Sequence, residues 1–158
     1  MTQSWLIFVL VVLSALVTME LLAALFHRYV MHGIGWSWHR SHHEPRTSRF
    51  EKNDLYAFFF AGVGILPFLL VDRWPLLRAV GIGLILYGIL YALLHDGLVH
   101  RRLPFMKSPR HPYLKRLVQA HRLHHAVRDR EGSVSYGFLY APPVGRLVGR
   151  LRAARPRP

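Results

Sequence analysis

Three long stretches without charged side chains constrain the fold of this chain more than any other feature of its sequence. Residues 5–26 contain one charged residue, Glu20; residues 55–71 contain none, and residues 76–94 contain only Arg78. A helix of about 20 apolar residues covers the ~30 Å hydrocarbon core of a bilayer. A soluble domain of 158 residues has too little interior to bury three such helices. The sequence therefore predicts an all-α integral membrane protein with at least three transmembrane helices.

The region after the third stretch can add one more membrane segment. Residues 134–144 are apolar but contain Pro142 and Pro143, a composition typical of an interfacial, re-entrant or fourth membrane-embedded element. Residues 150–158 are rich in Arg and Pro, and we expect this tail to fray. All 158 residues are expected to form one membrane-embedded domain with three to four transmembrane helices.

The distribution of basic residues predicts the orientation in the membrane. The chain has 21 Lys and Arg against 8 Asp and Glu, a formal net charge of +13. If three helices alternate across the membrane, 19 of these 21 lie on one side. Because basic loops stay in the cytoplasm, we expect the N-terminus outside and the C-terminus inside. We expect the basic side to contact anionic lipid rather than nucleic acid, whose soluble binders rarely have such long uncharged stretches.

Ten of the eleven histidines fall into two copies of one pattern. Each copy has an H-x4-H pair directly after a long apolar stretch and an H-x2-H-H triplet further along. On the predicted topology all four clusters lie on the cytoplasmic side, so a helical cap there can bring them together. His111, beside Pro112, is outside the pattern and is expected to be a solvated loop residue. The first copy comprises His27, His32, His39, His42 and His43, and the second comprises His95, His100, His121, His124 and His125.

The number and spacing of these histidines indicate a metal centre. On a helix, an H-x2-H-H triplet directs its imidazoles within about 100° of arc. Residues five apart on an α-helix lie about 140° apart, which suits ligands to two neighbouring metals, or a helix that ends nearby at Gly33 or Gly97. Ten imidazoles exceed the roughly four to six ligands of one ion, so we predict two ions with about five histidines each. Imidazole suits zinc, copper, iron and nickel alike.

Two acidic residues are candidates to hydrogen-bond these ligands. Glu20 lies seven residues before His27, on the same helical face, and an acid inside a membrane helix is costly and usually functional. Asp96 follows His95 directly, and capping or ion pairing explains it equally well. The other acids near the clusters are interpreted as surface charges: Glu44, Asp54 and Asp129.

Several other kinds of site do not fit the sequence. The chain has no cysteine, which excludes disulfides, thiolate zinc sites and Cys-ligated iron–sulfur clusters. A b-type haem carrier would need facing histidines within the apolar stretches, whereas these histidines lie at the ends. A metal transporter would distribute ligands through the membrane, and the second and third stretches contain none.

The order of the four clusters resembles the membrane non-haem di-iron fatty acid hydroxylase and sterol desaturase superfamily. Residues between the histidines are similar to its β-carotene hydroxylase branch over roughly residues 15–145. The segments that carry this resemblance are Met19-Glu20 and residues 27–33, 38–45, 53–56, 95–100, 113–117, 120–127 and 137–143.

The resemblance implies a bacterial inner-membrane monooxygenase that uses O2 and two iron ions held by the ten histidines, with Glu20 and Asp96 around them. It implies hydroxylation of β-ionone rings at C3, from β-carotene through β-cryptoxanthin to zeaxanthin. A carotenoid ketolase, or a fatty acid or sterol hydroxylase or desaturase, would use the same scaffold. The carotenoid would enter from the bilayer, and an acidic ferredoxin-like protein would supply electrons at the basic face. Candidates to line the substrate route are Phe58, Phe59, Phe60, Tyr87 and Tyr91, while Trp36 and Trp38 are expected at the interface first and as pocket walls second.

Overall fold

A computed structural model describes residues 2–46 and 48–154, and every regular element in these residues is a helix. Two π-helical segments, His27–Ile34 and Ala92–Val99, directly continue α1 and α4, and a 3-10 segment, Leu66–Leu70, continues α3. The all-α prediction is confirmed. The helices are α1 (Thr2–Phe26), α2 (Trp36–His43), α3 (Asp54–Ile65), α4 (Leu77–Tyr91), α5 (Pro112–His125) and α6 (Val144–Ala154).

Two of the described helices are long and apolar enough to cross a membrane. The first combines α1 with its π-helical continuation over Ser4–Ile34, with a mean hydropathy of 2.6. The second combines α4 with its continuation over Leu77–Val99, with a mean hydropathy of 2.0. Only 6% and 22% of their most apolar windows are buried inside the protein, so most of this apolar surface needs a non-aqueous environment. A shorter apolar helix spans Asp54–Leu70.

Helices α1 and α4 pack side by side through small residues. A Cβ atom on Gly83 would lie 2.7 Å from Cβ of Ala15 and 2.8 Å from the carbonyl oxygen of Val12. Small residues at such a contact let the two backbones approach closely. Because both helices run on into an H-x4-H pair, this packing brings the two pairs close to each other.

The H-x4-H pairs lie in π-helical turns rather than in α-helix. The backbone N–H of His100 donates to the carbonyl of His95 over 3.0 Å, and that of Gly35 donates to the carbonyl of Val30 over 2.8 Å. An i→i+5 hydrogen bond places residues five apart above one another, and such turns are frequent at functional sites. Each pair therefore presents both imidazoles to one place rather than to two neighbouring metals, and the non-helical backbone at Gly33 (φ −110°, ψ −118°) agrees with the alternative of a helix that ends near that glycine.

The apolar residues 134–144 do not form a fourth helix. Residues 126–143 have an irregular backbone that runs past the histidines, and α6 begins at Val144 directly after Pro142 and Pro143. Leu117 and Ala120 of α5 pack with residues of this segment and of α6 in a small core: Leu117, Ala120, Val134, Ala141 and Leu147. The tail that is expected to fray overlaps the end of α6, since residues 150–154 are helical, and residues 155–158 lie outside the described part of the chain.

Candidate metal centre

The ten histidines of the repeated pattern converge on one buried cluster. Within it, two sets of four have ligand nitrogens that lie within 4.8 Å of one another. His111 is exposed at the start of α5, as its position outside the pattern predicted. The first set comprises His27, His32, His39 and His124, and the second comprises His42, His100, His121 and His125.

The two other histidines extend these sets to five each. Nε2 of His43 lies 3.2 Å from Nε2 of His39, and Nε2 of His95 lies 3.0 Å from Nε2 of His42. We call the enlarged sets group A and group B. Group A contains His27, His32, His39, His43 and His124, and group B contains His42, His95, His100, His121 and His125.

Each copy of the histidine pattern gives four members to its own group and one to the other. In α2, His39 and His43 contribute to group A, whereas His42 contributes to group B. Residues four apart, such as His39 and His43, lie on one face of a helix. His42, three residues after His39, points to a neighbouring face. One short helix therefore lies between both groups. The triplet of α5 is arranged in the same way with the groups exchanged: His121 and His125 in group B, and His124 in group A.

Seven of the ten rings are oriented by a hydrogen bond from Nδ1 to an oxygen atom of the described residues. An oxygen acceptor places the proton on Nδ1 and leaves the lone pair of Nε2 free for a metal. Backbone carbonyls serve four of these rings, with Nδ1–O distances of 2.8–3.0 Å: Tyr136 for His27, Arg130 for His32, Val127 for His43 and Val134 for His124. Side-chain oxygens serve three, at 2.7–2.9 Å: Asn53 for His39, Glu51 for His42 and Asp96 for His95.

The Nε2 atoms of these oriented rings face one another inside the cluster. Since both protons of such a pair are on Nδ1, two lone pairs meet, and the contact is repulsive unless a cation lies between them. This donor set fits metal ions bound through Nε2 of neutral imidazoles. The Nε2–Nε2 distances are 3.0 Å for His27 and His39, 3.1 Å for His32 and His124, and 3.0 Å for His42 and His95.

Seven of the clustered histidines do not belong to the two long apolar helices. Burial keeps the imidazoles of these seven in the neutral form that binds metal. It lowers the pKa of His39 and of His125 to about 2 and that of His43 to about 4. Burial, reinforced by neighbouring imidazoles, also lowers the pKa of the other four: His42, His100, His121 and His124.

Two of the side chains that orient histidines, Glu51 and Asn53, were not predicted from the sequence. Glu51 and Asn53 lie in the loop between the first triplet and α3, and Asn53 is only 5% exposed. The sequence feature that could have identified them is their position, eight to ten residues after His43 and next to the start of an apolar helix. Sequence spacing alone does not show that this loop folds back onto α2.

Asp96 contacts the site as its position beside His95 suggested, and it belongs to a wider ion-pair network. Arg102 forms a bidentate pair with Asp54 at 2.7 Å for both contacts and lies 3.7 Å from Asp96. The interpretation of Asp54 as a surface charge is wrong, because its side chain is only 14% exposed. The network therefore ties the start of α3 to the acid that orients His95. Glu44 and Asp129 are exposed, as expected.

The hydrogen bonds of Glu20 in the described structure go to groups other than the histidines. Its carboxylate accepts a hydrogen bond from the Tyr87 hydroxyl at 2.9 Å and, through Oε1, three hydrogen bonds from backbone N–H groups at 2.9–3.0 Å. Glu20 thus connects α1 to α4 and to the irregular segment that passes the histidines. The three N–H groups belong to Phe138, Leu139 and Tyr140.

The aromatic residues expected along a substrate route lie in different surroundings. The Tyr91 ring stacks on the His95 ring with centroids 4.5 Å apart, and Tyr87 is buried against Glu20. Trp36 is a wall of the site, because its ring lies 5.2 Å from that of His32 and 5.3 Å from that of His43. The others have different surroundings: Phe58, Phe59 and Trp38 are exposed, and Phe60 packs against Phe26.

Two openings of opposite character reach the histidines. An apolar crevice encloses about 10 Å³ beside His95 and His121, and its walls include Leu94, Leu98 and Phe138. A polar cleft of about 590 Å³ reaches the other edge of the cluster. The histidine cluster is thus bordered by an apolar surface on one side and by a charged, open cleft on the other. The cleft is lined by His42, His43, His100 and His125 together with Arg46, Arg122 and Arg128.

Comparisons with known proteins agree with this geometry. The sequence model of the fatty acid hydroxylase family matches residues 12–149, which include all ten clustered histidines. A protein named Beta-carotene hydroxylase from Pantoea ananas is 55% identical over 150 residues, which are 94% of this chain and 85% of that protein. A protein of the same name from Paracoccus sp. (strain PC1) is 50% identical over 145 residues, 90% of each chain.

The similarity extends to plants. Beta-carotene 3-hydroxylase 1, chloroplastic, from Arabidopsis thaliana is 38% identical over 141 residues, which are 86% of this chain and 45% of that protein. No solved structure matches the chain. From the matched residues and the identity to these relatives, the chain belongs to the fatty acid hydroxylase family and groups within it with the β-carotene hydroxylases.

Proposed function

We propose that this chain hydroxylates the β-ionone rings of carotenoids at C3, which converts β-carotene through β-cryptoxanthin to zeaxanthin. The observation that carries this proposal is the cluster of ten histidines beside an apolar crevice, in a chain 55% identical to a β-carotene hydroxylase over most of both sequences. A C40 hydrocarbon dissolves in the bilayer, and the long apolar helices end at this site.

We propose that each histidine group holds one iron ion. Five Nε2 atoms per group match the ligand number of a first-row metal, and Nδ1 hydrogen bonds orient all five rings of group A and two rings of group B, His42 and His95. A redox-active metal suits an oxygenase, whereas zinc has no redox chemistry. When bound, iron would supply the affinity for O2 and the redox chemistry that cleavage of a C–H bond requires, with the electrons drawn from an external donor.

The protein side chains have three tasks in this reaction. The oxygens that accept from Nδ1 hold the imidazoles in place, so that little reorganisation is needed during turnover. The apolar walls of the crevice, among them Leu94 and Leu98, exclude water from the reacting ring. Each hydroxylation places one oxygen atom of O2 in the product and the other in water, and it takes two electrons and two protons from an external donor.

To test the function, the chain is expressed in cells that accumulate β-carotene, and the pigments are identified. We expect zeaxanthin with some β-cryptoxanthin, and purified protein with two irons per chain and no Soret band. The double variant His39→Ala/His124→Ala serves as the inactive control. Ketolated or desaturated pigments, or a single metal ion in fully active protein, would contradict the proposal.

We propose a topology in which α1, the helix Asp54–Leu70 and α4 cross the membrane. The N-terminus would then be periplasmic, and α2, α5 and α6 would form a cytoplasmic cap around the histidines. The support is the division of basic residues, 19 of 21 on the side of the cap. The same basic side would contact anionic headgroups.

Cysteine labelling tests this topology directly, because the chain has no cysteine of its own. We expect Asp72→Cys to react with a membrane-impermeant reagent in intact cells, and Lys107→Cys to react only after the membrane is opened. The reverse result would show that the orientation is wrong.

We propose that an acidic electron donor of the ferredoxin type docks over the polar cleft. Arg46, Arg122 and Arg128 line this cleft and are exposed, and the cleft reaches four histidines directly. A basic rim steers an acidic partner toward the metal site and shortens the path for electrons.

Reversing the charge of this rim should slow donor-dependent turnover. We expect Arg122→Glu/Arg128→Glu to lower the rate by about tenfold at low salt, since steering changes association rates by this order. Product formed in a single turnover after chemical reduction should be unchanged. Arg73→Glu, in the loop at the opposite end of the helices, is the control. Equal rates for both variants at low salt would rule out docking at the cleft.

A further inference from the structure

We propose that Phe138 controls entry of the β-ionone ring to the histidines and thereby decides which ring carbon is hydroxylated, with Glu20 as the residue that positions it. This inference rests on the proposed hydroxylation of carotenoid rings. The inference also gives a role to Glu20, the acid in α1. Its carboxylate accepts four hydrogen bonds, and none of them comes from a histidine.

Phe138 lies where a substrate ring has to be. Its ring is parallel to that of His27 in group A at 5.5 Å, with an interplanar angle of 3°. It also lies 5.3 Å from the ring of His95 and 6.0 Å from that of His121, both in group B. One side chain of the apolar crevice therefore faces both groups.

The crevice is too small for a substrate while Phe138 is in this position. Its volume of about 10 Å³ corresponds to roughly one water molecule, far less than a methylated six-membered ring. The ring can approach His95 and His121 only if a wall moves. Leu94 and Leu98 are held on the helix formed by α4 and its π-helical continuation, whereas Phe138 lies on an irregular segment. Rotation of the Phe138 side chain is therefore the simplest way to open the crevice.

Glu20 holds the backbone of this segment, whereas the Phe138 side chain is held by ring packing, which includes the Tyr91 ring at 4.6 Å. Its Oε1 accepts hydrogen bonds from the N–H groups of Phe138, Leu139 and Tyr140. The carboxylate approaches so closely that a Cβ on Gly137 would lie 2.5 Å from Oε1. Three N–H donors on one carboxylate oxygen form a strong anchor in an apolar environment. The depth to which the ring enters is then set by Phe138 at a fixed backbone position.

Substitutions at Phe138 should change which carbon reacts rather than how much iron is bound. Phe138→Ala widens the crevice, so we expect hydroxylation at carbons adjacent to C3 and a fall of about tenfold in the ratio of 3-hydroxy to other products. Phe138→Trp narrows it, so we expect lower turnover with unchanged regiochemistry. Glu20→Ala releases the anchor and should shift the products in the same direction as Phe138→Ala. Glu20→Gln keeps a carbonyl acceptor for the same N–H groups and should restore the 3-hydroxy product.

The test compares these variants in β-carotene-accumulating cells, with hydroxylated isomers separated and identified and with iron and membrane-inserted protein quantified. Phe105→Ala, an exposed phenylalanine away from the crevice, is the matched control. If Phe138→Ala fails to insert, Phe138→Leu replaces it with the same expected direction. A wild-type protein that makes no hydroxylated carotenoid would refute the proposed function. An active wild type, with a Phe138→Ala or Phe138→Leu variant that keeps iron and makes only 3-hydroxy products, would refute this inference alone.

Discussion

Replacement of His39 or His124 by alanine is expected to reduce zeaxanthin formation to near background and to lower the iron content of the purified protein. Both side chains are almost fully buried, and their Nε2 atoms lie 3.0–3.2 Å from Nε2 of other histidines in group A. Alanine removes a ligand whose place no neighbouring side chain can take, and it leaves a cavity among buried polar groups.

The same result is expected for each of the ten clustered histidines. The division into group A and group B further predicts which of the two metal ions each variant loses. His42→Ala should resemble His100→Ala, with selective loss of the group B metal, although His42 lies in the first copy of the pattern. His39→Ala, three residues earlier, should lose the group A metal. Iron per chain and iron spectroscopy on the purified variants distinguish the two. His111→Ala is the control and should keep most of its activity. Normal iron content in several variants of the clustered histidines would show that these residues are not the ligands.

Removal of the side-chain oxygens that orient the histidines should cost about 10- to 100-fold in activity or metal affinity. Asn53→Ala takes away the acceptor 2.7 Å from Nδ1 of His39, and Glu51→Ala takes away the one 2.9 Å from Nδ1 of His42. The rings are then free to turn or to move their proton to Nε2, which blocks metal binding. Asp96→Ala should act on His95 in the same way, and Asp96→Asn should be milder because an amide oxygen still accepts.

The measurement for these variants is zeaxanthin formed per amount of inserted protein, together with the rate of iron loss to a chelator. Asn53→Asp keeps an acceptor oxygen and should retain most activity. Glu44→Ala is a control from the same region, because Glu44 is exposed and pairs with Arg40 on the surface. If Asn53→Ala and Glu51→Ala match Glu44→Ala in both measurements, the orienting role of these oxygens is wrong.

Periodicity and residue type alone were enough to predict the all-α fold and the two longest apolar helices. A helix satisfies its backbone hydrogen bonds internally, so a long apolar stretch has few alternatives in a bilayer. The convergence of ten histidines was likewise predictable, since both H-x4-H pairs follow directly on apolar stretches.

Features that depend on contacts between distant segments were not predictable. The α-helical spacing of H-x4-H suggested imidazoles about 140° apart, and the π-helical turns bring them together, because the backbone there makes i→i+5 bonds. Residues 134–144 were a candidate interfacial, re-entrant or fourth membrane-embedded element, yet residues 134–143 are irregular, and the carbonyls of Val134 and Tyr136 accept hydrogen bonds from histidine rings.

The amino-acid pattern by itself settles which residues gather at the site, because residue type, apolar length and helical period are local properties. The tertiary structure alone decides how they are shared between the two groups: His39 joins His124, which lies 85 positions later, and His42 joins His100 and His121. It also decides that Glu51 and Asn53 orient ligands, and that Glu20 anchors the segment that carries Phe138. The reason is physical: a hydrogen bond to Nδ1 or a shared metal position requires atoms within about 3 Å of each other, and only the packing of helices and loops sets such distances.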